Sequence, residues 1–366
     1  MLGVRGLGRR KSNYIFVPDK KSRGGMGYVF LAFALVVALA AAALVLNYGI
    51  NNRLELHEEK VSVMGLDKAF EGFSILHVSD LQASRMAGDL DMWRKLLYGK
   101  SFSAVVFSGD MVGYPGDYEP LLSLIHTIRQ IKKDVPIYFI SGDEDPAPVI
   151  STPQGTPEAL SEWVREAQKM GAIYLDAPVM QEVGKRRVWF VPAYLYDVDA
   201  AGMVGSLTQQ KLDMEAQGLQ YEAQGGATYR SLCYRLDAMQ RTVEAQKQML
   251  STDLQVAVNH APLEPAYIRT SIEWAKREEV FNFRNISLLL CGHYCGGQWR
   301  LPGAGPVYVP QKGWFPGDQH VVGMQRVNSI NQYISPGIGA SREYPMRGRL
   351  FNTPGVSILK FTGNIQ

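Results

Sequence analysis

Five short polar segments carry the side chains capable of chemistry: Ser79-Asp80-Leu81-Gln82, Gly109-Asp110, Gly142-Asp143-Glu144-Asp145, Asn259-His260 and Gly292-His293-Tyr294-Cys295-Gly296-Gly297. Each follows a short apolar run, so each reads as the tip of a strand. Carboxylate and imidazole donors on rigid strand ends suit divalent cations, and two ions about 3.5–4 Å apart can clamp both the attacking and the leaving oxygen of a phosphoryl transfer. A glycine beside the polar residue lets the backbone turn sharply and leaves room for a ligand. Singly, none of these segments is diagnostic. A lone Gly-Asp is usually a turn, and a lone His near a strand end is more often a hydrogen-bonded structural residue than a ligand. Their ordered succession is what points to a metal centre.

The elements that must position these tips follow from hydrophobic periodicity. Phe73–Ser79, Ala104–Ser108 and Ile137–Ser141 read as β-strands, separated at crossover spacing by the helix-like stretches Asp89–Tyr98 and Tyr118–Lys133. A helix is expected over Pro157–Gly171, then strands near Ala172–Tyr174, Val179–Val183 and Arg187–Val191, with a hairpin turn at Gly184-Lys185. Further strands are expected at Leu254–Asn259, Ile286–Cys291, Val307–Val309, Gln332–Ile334 and Val356–Phe361. Such alternation predicts a layered α/β domain, in which the carboxyl ends of strands converge on the ligand crevice. Between about 205 and 250 the composition shifts to Gln, Ala, Met, Glu and Lys, which predicts two helices broken at Gly225-Gly226. Two readings of this insertion stand: a surface element laying its Leu and Met stripe on the body, or a cap over the site.

The tips, in this order, resemble the blocks of the calcineurin-like metallophosphoesterases: D-x-H, G-D, G-N-H-D, a His late in a strand, and G-H-x-H. The likeness covers roughly residues 60–362. Phe73 to Asp80, Gly296-Gly297-Gln298-Trp299-Arg300-Leu301-Pro302, Tyr333 to Gly339 and Arg349 to Pro354 look like the bacterial membrane-anchored branch. The resemblance implies a layered αββα sandwich, and one or two divalent ions, with Mn, Zn or Fe expected. It implies that Asp110 bridges the ions, that Asp143, His260 and His293 complete one site, and that Asp80, Gln82 and Cys295 complete the other. Gln82, Glu144 and Cys295 stand where the family has His, and Asp143 where it has Asn. Cys295 is either a thiolate ligand or a buried apolar thiol. Glu144 and Asp145 fall at the family's catalytic His and its supporting carboxylate, and a Glu donates a proton only if its pKa is raised. Arg300, Arg347 and Arg349 are candidates for gripping the phosphate of a substrate, against the alternative of solvated surface arginines. Activity on a phosphorylated small molecule or a lipid-linked substrate is one expectation; a catalytically impaired pseudoenzyme binding a ligand or partner in the cleft is the other.

Composition limits the remaining classes. At 46% hydrophobic and 20% charged the chain is a folded globular protein, and Cys233, Cys291 and Cys295 imply no disulfide framework. Seven Lys and Arg against Asp19 in residues 1–27 account for more than the net charge of +3, so the body is mildly acidic and nucleic-acid binding is not expected. Tyr28–Leu46 holds no charged or strongly polar side chain, long enough to span a bilayer. Basic residues before it predict a cytoplasmic N-terminus and an extracytoplasmic body; a cleaved signal peptide is the competing reading. The organisation expected is a basic tail at 1–27, an anchor at 28–47, a juxtamembrane linker at 48–65 and a metallophosphoesterase domain at 66–366.

Overall fold

The computed structural model describes residues 24–82, 84–153, 158–318, 321–345 and 347–364. Nearly all of the basic tail, and Pro157 at the start of an expected helix, lie outside them. The chain falls into two compact units, Met1–Leu46 and Asn47–Gln366. Helix α1 (Gly24–Asn51) contains no charged residue. Its stretch Gly27–Asn51, at mean hydropathy 3.0, is the one helix among the described residues long and apolar enough to cross a membrane, and its place near the N-terminus suits a signal sequence equally.

The strands of the second unit begin with β1 (Glu55–Ser62), β2 (Ser74–Val78), β3 (Ala104–Ser108), β4 (Ile137–Ile140), β5 (Ala172–Tyr174) and β6 (Val179–Val183). They continue with β7 (Arg186–Pro192), β8 (Leu254–Val258) and β9 (Ile286–Cys291). Two short ladders follow, β10 (Arg300–Leu301) with β11 (Gly305–Pro306) and β12 (Tyr308–Val309) with β13 (Gly313–Trp314). The last strands are β14 (Gly323–Val327), β15 (Ile330–Ile334) and β16 (Gly355–Thr362). The helices are α2 (Leu90–Leu96), α3 (Glu119–Ile131), α4 (Glu162–Lys169), α5 (Ala200–Ala216), α6 (Ala223–Gln248) and α7 (Pro265–Trp274).

The architecture is mixed α/β, with two mostly parallel six-stranded sheets ordered β1-β16-β2-β3-β4-β5 and β14-β15-β9-β8-β7-β6. Their central strands are continuous apolar runs because both faces are covered. Ile75, Ala104 and Val106 of the first sheet share a core with Phe190, Val256 and Leu288 of the second. The intervening residues point the other way, as period-two alternation requires: Leu76, Val105 and Phe107 meet Trp93, Leu124 and Trp163 on α2, α3 and α4. On the second sheet, Trp189 and Val191 meet Leu207 and Leu236 of α5 and α6, and Leu289 meets Ile268 of α7. Tyr138 and Phe190 stack at 4.1 Å across the shared core.

Several segments differ from expectation. Glu55–Ser62, within the expected linker, is a strand paired in parallel with β16. Its polar sequence hid it, because an edge strand here buries only Val61. Strand β14 and helix α7 were likewise not expected, and Val307–Val309 shrinks to a two-residue ladder. The two helices of the insertion are present, but they break at Gly218 (φ 72°) and a short turn at Leu219–Tyr221. Gly225 lies in the first turn of α6, where a Cβ would sit 2.2 Å from the Leu219 carbonyl oxygen. Phe190→Ala, which empties the centre of the shared core, should lower stability by about 3–5 kcal/mol in denaturant unfolding of the detergent-solubilised chain.

Candidate metal centre

The carboxyl ends of β2, β3 and β4 deliver Asp80, Asp110 and Asp143, and those of β8 and β9 deliver His260 and His293. Two groups form. Donor atoms of Asp80, Asp110 and His260 all lie within 4.8 Å of one another, as do those of Asp143, His260 and His293, so His260 is common to both. Asp80 and Asp110 are buried, His260 and His293 nearly so, and the Asp143 side chain is 49% exposed, which puts it at the mouth.

The backbone here is strained. Asp80, Gln82, Asp110, His293 and Cys295 all have positive φ, from 47° to 77°. For residues with a Cβ that costs about 1–3 kcal/mol each and persists only where the surroundings over-determine it. The determinants are visible. Asp80 N–H donates to the Gly109 carbonyl at 3.1 Å and Gln82 N–H to that of Asp110 at 3.0 Å. His293 N–H donates to the Asp80 carboxylate at 3.0 Å, and Ser79 Oγ donates to it at 2.5 Å. Two glycines are obligatory for close approach. A Cβ on Gly109 (φ +98°) would lie 2.6 Å from His260 Nδ1, and one on Gly292 would lie 1.7 Å from Ser79 Oγ.

His260 carries the strongest sign of a ligand. Its Nδ1 lies 2.8 Å from the Ser108 carbonyl, which fixes Nδ1–H as the donor. Nε2 is left buried without an aligned hydrogen bond, 3.1 Å from Asp110 Oδ2. A histidine oriented by one ring nitrogen with the other aimed among carboxylates is the arrangement metal-binding imidazoles adopt. Burial pulls the His260 pKa down, but Asp110, Asp80 and Asp143 together push it up to about 10. His293 is also raised: burial opposes this, and Asp143 Oδ2, 3.0 Å from Nδ1, overcomes it. That contact, in turn, lowers the pKa of Asp143. Burial raises Asp80. The pocket therefore attracts positive charge, and its oxygen and nitrogen donors fit a divalent cation without fixing which one.

Other residues expected at the site take different parts. The Cys295 thiol is fully buried and stands outside both donor groups. Its carbonyl is held by Asn352 Nδ2 at 2.9 Å, the Ser341 N–H faces its sulfur, and burial and the Asp80 charge hold its pKa well above the usual range. Gln82 is 6% exposed, and its Nε2 has no partner. Glu144 Oε1 accepts from Ser341 Oγ and from Arg342 N–H, bracing that loop, while Glu144 N–H donates to Asp110 Oδ1 at 2.8 Å. Both Asp145 oxygens accept backbone N–H groups, of Val112 and Gly142 at 2.7 Å each; burial and Asp110 push its pKa up to about 7. Arg349 is not available to a substrate. It is buried, and its guanidinium donates to the carbonyls of Asn352, Gly339, Pro336 and Thr353. Arg300 is tied to the Gly296 carbonyl and to Asp318. Arg347 is exposed and lines a cavity next to Gln82.

No family model and no curated protein matches this sequence. Among solved structures, the phosphopantetheinyl hydrolase PptH from Mycobacterium tuberculosis is similar at 12% identity, over 75% of this chain and 92% of that one, with a TM-score of 0.34. A superposition that loose carries no argument about function.

Reasoning from the sequence missed Ser108, which orients His260, and Glu343, whose Oε2 lies 4.0 Å from His293 Nε2. Neither lies in a tip, so no local signal marks them. Ser79, by contrast, sits beside Asp80 in a tip already singled out.

The raised His260 pKa predicts opposite pH trends with and without an ion. In the chelator-treated chain, His260 contributes stability that is present below its unfolded value of about 6.5 and is lost as pH rises through about 10. A metal ion needs the unprotonated imidazole, so its affinity should rise over the same window, with proton release on binding. Calorimetry of Mn binding in buffers of different ionisation enthalpy reads the protons directly, and an affinity independent of pH would contradict the assignment.

Proposed function

We propose that this chain is a membrane-anchored, metal-dependent hydrolase of the calcineurin-like metallophosphoesterase type, acting on a phosphate ester or pyrophosphate. The observation that carries the reading is His260: held through Nδ1 and shared by two donor groups, it turns Nε2 toward three carboxylates. On this reading, the paired sheets and their outer helices are the αββα sandwich of that family. Residues 28–47 anchor the chain, and the residues from β1 (Glu55–Ser62) onward form the catalytic domain on the extracytoplasmic side. Asp80, Asp110, Asp143, His260 and His293 would hold a divalent ion, which would supply Lewis-acid chemistry and lower the pKa of water. The protein orients that chemistry through Ser79, the backbone of His293 and Glu144, and the Ser108 carbonyl. Cys295, with its raised pKa, stays protonated and is not poised as a nucleophile, which favours direct attack by water.

A second reading, a cleft that binds phosphorylated ligands without turning them over, is favoured by one observation. Glu144 and Asp145, the positions expected to move protons, are both engaged in bracing contacts. The test is turnover of bis(p-nitrophenyl) phosphate, p-nitrophenyl phosphate and pyrophosphate by the full-length chain with Mn, Zn, Fe or Co. Turnover should appear with at least one ion and fall by more than about a hundredfold in Asp110→Asn, since loss of residues merely supporting a metal ligand already costs about 10–100-fold. No turnover with any ion would favour the binding reading.

A further inference from the structure

A cavity of about 420 Å³ lies beside the metal centre, lined by Asn51, Gln82, Ser84, Tyr114, Arg342 and Arg347 among others. Gln82 joins the two places. Its N–H is bonded to the Asp110 carbonyl at 3.0 Å, and its side chain, 94% buried by its 6% exposure, lines the cavity with Nε2 unpartnered. Unpaired buried amide groups are unfavourable unless something fills them. Two cations face the same space. The Arg342 guanidinium lies 3.5 Å from the centroid of the Tyr114 ring, and its backbone is held by Glu144 at 2.9 Å. Arg347 is exposed, and among the described residues neither arginine is paired with a carboxylate.

We infer that this cavity is an anion subsite that takes a phosphoryl group, and that Gln82 serves it as a hydrogen-bond donor instead of ligating metal. The identity of the anion rests on the phosphoester reading above; the geometry does not. Three carboxylates at the neighbouring centre repel a phosphate, and two guanidinium groups lining the same cavity with a neutral amide supply the attraction that draws one in. The arrangement also gives Glu144 a role. It is a positioning residue whose carboxylate holds the Ser341-Arg342 turn, and so Arg342, against the cavity. Two of the positions at which this chain departs from the family pattern, Gln82 and Glu144, therefore build one subsite. The phosphoryl group arrives either on a water-soluble ester or as a lipid headgroup.

Calorimetric titration of the full-length chain as purified in detergent distinguishes these, with inorganic phosphate as one probe and dihexanoyl phosphatidic acid below its micelle concentration as the other. Metal content is measured on every sample. Arg347→Gln and Gln82→Met should each weaken binding about tenfold or more with metal content unchanged, and Gln82→His should leave metal content unchanged as well. Equal affinity for both probes means that the phosphoryl group alone is read; affinity at least about tenfold tighter for phosphatidic acid means a lipid headgroup. Absence of binding of either probe, or binding indifferent to both variants, would overturn the subsite. Metal content that falls in Gln82→Met or rises in Gln82→His would overturn the role given to Gln82. Variant-sensitive phosphate binding without hydrolysis would sink the hydrolase reading and leave the subsite standing.

Discussion

The structure depends on how the buried carboxylates Asp80, Asp110 and Asp145 are tolerated in the tips that follow adjacent parallel strands. Asp80 and Asp110 are essentially removed from water, and Asp145 is nearly so. An uncompensated buried charge costs several kcal/mol, and like charges in one pocket raise that cost. The surrounding chain answers with hydrogen-bond donors. Ser79 and the His293 backbone serve Asp80, the Glu144 backbone serves Asp110, and two amides serve Asp145. The remaining field falls on His260, whose pKa it lifts to about 10. A divalent cation would relieve the same field more completely than a proton, so metal affinity and histidine protonation would be two aspects of one electrostatic fact.

Sheet pairing sets the geometry of that site. The first sheet supplies the carboxylates and the second the histidines, and the bond from His260 to the Ser108 carbonyl crosses between them. The shared core holding Phe190 against Tyr138 is therefore also what holds imidazole against carboxylate. The segment after β15 closes the arrangement. Ile338 and Gly339 donate to the carbonyls of Ser79 and Asp80, and Arg349 gathers four carbonyls of the same segment. That segment presents Arg342 and Arg347 next to Gln82, so rigidity at the carboxylates and cationic character at the cavity come from the same stretch of chain.

What could be seen in the sequence was whatever leaves a local pattern. Strands buried on both faces leave apolar runs, and a tip that turns sharply beside a ligand leaves a glycine next to an acid or a His. Asp110, Asp143 and His293 announce themselves that way, while Asp80 and His260 are marked only by their place after an apolar strand. Strand β1 does not, because its edge position permits the polar sequence from Glu55 to Lys60. Partnerships made across long stretches of chain leave no local trace at all. Glu144 meets a turn 197 residues away, and nothing near it in sequence distinguishes a proton donor from a brace. In the sequence Arg349 is open between phosphate grip and surface arginine, and Cys295 between ligand and buried thiol; Arg349 is buried with four carbonyls as partners, and Cys295 is buried and stands outside both donor groups.

The most direct measurement is anomalous diffraction at the Mn edge from crystals of the chain grown with Mn. A peak within coordination distance, about 2.0–2.3 Å, of Asp80, Asp110 and His260 Nε2, with or without a second at Asp143 and His293, is the predicted result. No peak at these residues, with His260 still directed at Asp110, would contradict the central claim that the buried carboxylates are assembled to hold a metal ion.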